Sequence, residues 1–210
     1  SQLIVWRLYE AAERGVKVRL LLDDMQSRKD SDIAYLNGHP NIHVRLFNPH
    51  QFRSLRMLSW VTDSKRLNRR MHNKSMTADG VVSVVGGRNI GNEYFSFRSN
   101  VEFGDFDVLL NGPVVDDTAE QFDLYWNSEH SVLMSWIQKS KRVPNAEDVA
   151  RWRQDSHIEH KFTSDEYNFA TLPLYKKIKD NQIALNWGPA RLLFDLPGKV
   201  DDGDSLLITG

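Results

Sequence analysis

Apolar residues recur at Ile4, Leu8, Ala11 and Ala12, a spacing that gathers them on one side of a 3.6-residue period and predicts a helix over residues 3–14. Gly15 follows the last of them, and glycine closes helices because it takes the left-handed turn beyond the last coil without a Cβ clash. The run Val16-Lys17-Val18-Arg19-Leu20-Leu21-Leu22 then reads as a buried strand. Helix into buried strand is the second part of a βαβ unit, whose first strand is missing. Asp30 to Leu36 reads as a short helix ended by Gly38, and Ile42 to Phe47 as a further strand. Asn48-Pro49 stops that strand, since proline cannot donate to a ladder. Between Pro49 and Arg70, aromatics, leucines and arginines mix without a clean period, which predicts a loop with a short helix.

The stretch from Met76 to Val85 sets Asp79-Gly80 between two β-prone runs, the strongest short-range hairpin signal a sequence offers. Asp105 to Leu110 reads as the next strand. Pro113 opens a helix whose buried stripe is Val115, Ala119, Phe122 and Trp126. Beyond His130 the composition is more polar and irregular. There Asn145, with Asp148 three residues on, is placed to cap a helix that Trp152 packs. A weak helix over Leu172 to Ile178 and a strand near Arg191 to Phe194 precede the Gly/Asp-rich stretch from Gly198 to Asp204. The pattern predicts an α/β fold, a mixed sheet flanked by helices. It divides into a regular domain over residues 1–130 and an irregular linker region over 131–210.

Composition excludes more than it selects. The chain has 210 residues, 40% hydrophobic and 26% charged, an ordinary globular balance. No run approaches the roughly 20 apolar residues that span a bilayer. The first residues carry neither the basic region nor the small-residue cleavage site of a signal peptide, and they start without methionine, which suggests a trimmed chain. Cysteine is absent, so disulfides and thiolate zinc sites are excluded, and the seven histidines show no metal-ligand spacing. No metal or cofactor is expected. The formal charge is −1, which disfavours a general nucleic-acid coat, yet Arg53, Arg56, Lys65, Arg66, Arg69, Arg70 and Lys74 face only Asp63 between residues 53 and 74. This basic cluster, Arg69 and Arg70 included, is a candidate for attracting anionic headgroups.

The candidate chemistry lies at the end of that cluster. His72 and Lys74 are two apart, so on a strand they project from one face. His72 is followed at fixed intervals by Lys74, Asp79 and Gly86-Gly87-Arg88-Asn89. A neutral imidazole can attack phosphorus near pH 7, which would make His72 the nucleophile of a covalent phosphohistidine route. Lys74 and Asn89 would donate to the non-bridging phosphate oxygens, and Gly86 and Gly87 would let the backbone approach the phosphate closely. Asp105 is the carboxylate best placed to hold the second ring nitrogen, with Asp107 the runner-up. Asp79 is explained by the turn alone or by a bond to a basic neighbour, with direct catalysis the other reading. In-line displacement needs a further acid and base opposite His72. His157 to Lys161 lacks the downstream partners, so the chain holds one half-site. The second would come from beyond residue 210 or from a two-fold dimer.

These spacings resemble the signature of the phospholipase D superfamily, and the flanks resemble bacterial cardiolipin synthases of the C type. The similar flanks are Ala11 to Asp24, Val44 to Pro49, Arg66 to Lys74, Gly86 to Asn92 and Asp105 to Val115; similarity thins after about residue 130, although Trp187 to Lys199 looks like the link into a second half. The resemblance implies one half of a pseudo-two-fold enzyme. It implies a metal-free phosphatidyl transfer: a motif histidine displaces the headgroup of phosphatidylglycerol, and a second lipid alcohol attacks to give cardiolipin. It also implies catalytic roles for His72, Lys74 and Asn89, an orienting role for Asp105, and a peripheral place on the cytoplasmic face of the bacterial inner membrane. A homodimeric phosphodiesterase or nuclease of the same superfamily is the alternative, and a non-catalytic lipid-binding module a third reading.

Overall fold

A computed structural model describes residues 2–24, 36–52, 56–89, 105–137, 145, 147–148, 150–151 and 169–201. Helix α1 (Gln2–Glu13) leads through Gly15, whose φ of +95° is the expected left-handed closure, into β1 (Val18–Asp23). Strand β2 (Ile42–Phe47) pairs in parallel with β1, from Val18 opposite Ile42 to Asp23 opposite Phe47. Parallel neighbours require a crossover. Of the helix expected over Asp30 to Leu36, only Leu36 falls within the described residues, where it is buried. Trp6, Tyr9 and Ala12 of α1 pack with Val18, Ile42, Val44 and Leu46 in the main core.

Helix α2 (Arg56–Leu67) occupies the segment without a clean period and is kinked at Asp63. The expected hairpin follows as β3 (Ser75–Ala78) and β4 (Val82–Gly86), antiparallel, with Asp79 and Gly80 at φ +54° and +67°. Both turn residues at positive φ make the tight connection whose twist matches the strands. Strand β5 (Asp107–Asn111) pairs with β4, and helix α3 (Val114–Trp126) begins after Pro113. β6 (Ser131–Leu133) returns antiparallel to β2, and the single turn α4 (Met134–Ile137) follows.

The sheet differs from expectation in one respect: the described residues form two three-stranded sheets, ordered β1-β2-β6 (mixed) and β3-β4-β5 (antiparallel). The stripe on α3 is also rotated. Val115 and Trp126 are buried as expected, with Val114, Thr118, Gln121 and Tyr125, whereas Ala119 and Phe122 are only half-buried. Thr118 is tolerated inside because its hydroxyl donates to the Val114 carbonyl at 3.0 Å. Phe122 remains at the surface under the Arg19 guanidinium, 4.9 Å from its ring centre.

Past residue 130, β6 joins the first sheet and Val200 packs with Phe47 and Tyr125. Asn145 and Asp148 exchange backbone-to-side-chain hydrogen bonds of 2.9 Å, the reciprocal cap that their spacing predicts. Trp152 lies outside the described residues. Helix α5 (Pro173–Lys179) forms where the weak helix is expected, but Arg191 to Phe194 is no strand, only an isolated bridge at Phe194.

Candidate functional site

The approach to His72 is anchored at the carboxyl ends of the two parallel strands. Asp23, the last residue of β1, accepts from Arg70 Nε at 2.8 Å, from the adjacent Nη2, and from the Met71 backbone at 2.9 Å. Asn48, just past β2 with φ +50°, donates to the carbonyls of Arg66 (2.8 Å) and Arg69 (3.1 Å) and accepts from the Arg66 guanidinium. Residues 66–71 are thus clamped where open α/β sheets place their ligand sites. Asn73 approaches the Tyr125 hydroxyl without closing a well-formed bond, and that hydroxyl donates to the Asp195 carbonyl at 2.8 Å. Burial pushes the Tyr125 phenol up to about 12, with Asn73 opposing and Asp195 reinforcing.

His72 is exposed and Lys74 half-buried. The strand expected through both begins only at Ser75. A single bond from the Gly86 backbone to the Lys74 carbonyl, 3.2 Å, extends the pairing that far. The two side chains nonetheless meet: Lys74 Nζ lies 3.3 Å from His72 Nδ1 and donates to the His72 carbonyl at 2.6 Å. Partial burial holds the Lys74 pKa below its ordinary value of 10.5, while the fields of Asp105 and then Asp23 oppose the shift. An ammonium has only donors, so the Lys74 contact makes Nδ1 the acceptor and leaves the ring proton of a neutral His72 on Nε2. Attack through Nε2 requires the other tautomer. For His72 to act as a nucleophile through Nε2, Lys74 would first have to leave Nδ1.

The flanking residues are arranged differently from expectation. Gly86 and Gly87 admit carboxylates of their own chain: a Cβ on Gly86 would strike Asp107 Oδ1 and the Phe106 carbonyl, and one on Gly87 would lie 2.9 Å from Asp105 Cγ. Asp105 accepts from the Phe106 backbone at 3.0 Å and acts on Lys74 through its field; among the described residues no hydrogen bond joins it to His72. Asp107, the runner-up, is paired with Arg88 at 2.7 Å. Asp79 sits at the far tip of the hairpin, five residues along from Lys74 and so about 16 Å away at the rise of an extended strand. Its φ of +54° serves the turn. Asn89 is half-buried at the edge of the described residues.

Arg70 is engaged within the chain, and half-buried Arg69 commits one guanidinium nitrogen there. The Arg70 side chain is 7% exposed in its ion pair with Asp23, and Arg69 donates to the Val200 carbonyl at 2.8 Å. Arg66 is likewise held by Asp63 at 2.5 Å and by Asn48. Arg53 and the Arg56 side chain lie outside the described residues. Sequence reasoning missed Asp23 and Asn48 as site-forming residues. A carboxylate closing a buried strand, and an amide before a proline at the end of its parallel neighbour, were the available signals. Glu129, His130 and Asp201 bring ligand-type atoms within 4.8 Å of one another, but His130 Nε2 and Asp201 Oδ2 already pair at 2.9 Å and tie residue 201 to the α3–β6 turn.

Residues 1–126 match the family model described as cardiolipin synthase, PLD-like domain. Cardiolipin synthase C of Escherichia coli (strain K12) is 43% identical over 206 residues, which are 95% of this chain and 42% of that protein. An uncharacterized protein of Helicobacter pylori (strain J99) is 37% identical over 96% of this chain and 41% of its own length. The major cardiolipin synthase of Bacillus subtilis (strain 168) is 33% identical over 60% of this chain and 25% of its own. The chain thus spans about two fifths of the length of the first two relatives.

Proposed function

The chain belongs to the cardiolipin synthase, phospholipase D-like family, and from that premise we infer that it supplies one half-site of a phosphatidyltransferase making cardiolipin from phosphatidylglycerol and a second phospholipid. His72 forms the N–P bond as the headgroup alcohol departs, and Lys74 turns from the imidazole to the non-bridging oxygens, where charge grows in the transition state. Asn89 adds an amide donor. Once the ammonium has left, the ring proton shifts from Nε2 to Nδ1, where Asp105, already within electrostatic reach of Lys74, accepts its hydrogen bond and holds the tautomer that attacks through Nε2. The second half-site, from the rest of a longer chain or from a second copy, protonates the leaving oxygen and deprotonates the acceptor. Residues 1–130 carry the half-site, and the segment beyond leads toward that second half. The enzyme works peripherally at the cytoplasmic face of the inner membrane.

The observation that supports this reading most is the 3.3 Å approach of Lys74 to an exposed His72 within the family's motif spacing. The test is to incubate the protein with phosphatidylglycerol vesicles and with labelled DNA in parallel. Release of glycerol with formation of cardiolipin, and no DNA cleavage, is expected. DNA cleavage without lipid turnover would replace the reading with a nuclease.

A further inference from the structure

Among the described residues, α5 buries none of its side chains. Leu174 and Ile178, four apart and 64% and 53% exposed, stand one above the other on the same side as Tyr175. On a 3.6-residue period Lys176, Lys177 and Lys179 fall on the opposite side, so this short helix is fully two-faced. Trp187, eight residues beyond the helix, is also exposed, at 77%. Between residues 172 and 187 the only acidic residue is Asp180, which follows the helix as its cap.

Well beyond α5 the chain is tied to the body of the protein. There Asp195 accepts from Tyr125, Val200 accepts from Arg69 and is itself buried, and Asp201 pairs with His130. α5 itself presents an apolar face to water, and a helix of seven residues has little intrinsic stability to justify that exposure. Two features select the occupant. Three lysines beside leucine, isoleucine and tryptophan are the composition of an interfacial helix, whose apolar side enters the headgroup boundary while its ammonium groups meet lipid phosphates. Protein interfaces, by contrast, are depleted in lysine.

We propose that residues 172–187 are a docking element for an anionic phospholipid surface. Leu174, Tyr175, Ile178 and Trp187 enter the boundary layer, and the three lysines contact its phosphates. The basic cluster between residues 53 and 74, where the sequence alone places this attraction, has Arg66, Arg69 and Arg70 engaged internally. Docking here is independent of the chemistry at His72, so either can fail without the other.

The test is co-sedimentation with vesicles of phosphatidylcholine alone, or mixed in equal parts with phosphatidylserine or with phosphatidylglycerol. The serine lipid separates surface docking from capture of a transferase substrate. At low salt each lysine is expected to contribute about fivefold, so preference for the anionic vesicles should reach the order of a hundredfold. K176Q/K177Q/K179Q should lose that preference, and high salt should mimic the loss. L174S/I178S should weaken partition into every vesicle, His72→Ala should bind like the parent, and all variants should melt like the parent because the altered side chains are exposed. Unchanged binding by both helix variants would overturn the proposal. So would a parent chain that ignores every vesicle while L174S/I178S breaks up a dimer seen by solution mass, which would make the face a protein interface.

Discussion

Replacing Asp23 by alanine should be the most damaging single change that touches no substrate. Three donors converge on this carboxylate, two from Arg70 and one from the Met71 backbone. The Arg70 side chain is 7% exposed, so removing Asp23 leaves a guanidinium charge without its partner in a nearly dry place. Breaking one side of such a pair costs about 3–5 kcal/mol. Asp23 is itself 17% exposed and some water will reach the gap, so the lower figure is the expected one. For a chain of this size that corresponds to a fall of roughly 6–12 °C in Tm. The second alteration, Arg70→Met, should recover much of the loss, since it removes the stranded charge and keeps most of the volume. Urea unfolding of the parent, D23A, R70M and the double variant would give a coupling energy of about 2 kcal/mol. Transfer should fall in D23A even below its melting range, because the backbone entering His72 is no longer fixed. A loss under 1 kcal/mol in D23A, or strictly additive effects, would refute the claim that this pair clamps the site.

Other changes probe the neighbouring residues. Gly87→Ala should displace Asp105 and reduce transfer at least tenfold, with only about 1–2 kcal/mol lost in denaturation; transfer at the parental rate would remove Asp105 from the account. Lys74→Met should abolish transfer while raising stability slightly at neutral pH. Because the folded state holds the Lys74 pKa below 10.5, it releases that proton first. The parent's stability should therefore gain with pH across the window just beneath 10.5, and the variant should lose that gain, as denaturation at stepped alkaline pH would show. Asp79→Asn should leave transfer intact, whereas Asp79→Val should cost about 1–2 kcal/mol at its positive φ. Strong loss of transfer in Asp79→Asn would return that carboxylate to the chemistry.

What was legible in the chain is what local rules decide. Gly15, Asn48-Pro49 and Asp79-Gly80 each set a backbone turn through their own φ preferences, and the elements around them form where expected. The pair His72 and Lys74 was legible for the same reason, since extended backbone brings alternate side chains together whether or not a ladder is formed. Long-range pairing was not. Asp23 and Arg70 are 47 residues apart, and nothing local distinguishes an arginine bound for a buried carboxylate from one left in water. The basic cluster therefore read as a lipid-facing surface, while Arg70 is buried and Arg66 and Arg69 also bond within the chain. The stripe on α3 slipped because Thr118 satisfies its hydroxyl within the helix and Arg19 covers Phe122 from outside. Gly86 and Gly87 read as room for a phosphate, and the side on which a Cβ would stand holds Asp107 and Asp105.

The central claim is that His72 carries the phosphatidyl group between donor and acceptor. Rapid quenching of the protein with its second half-site present, in the first turnover with phosphatidylglycerol, followed by mass mapping of the peptides, tests it directly. The account predicts a phosphatidyl adduct on the peptide containing His72, formed together with released glycerol and absent from His72→Asn. Parental turnover by His72→Asn, or an adduct found only on another residue, would contradict it.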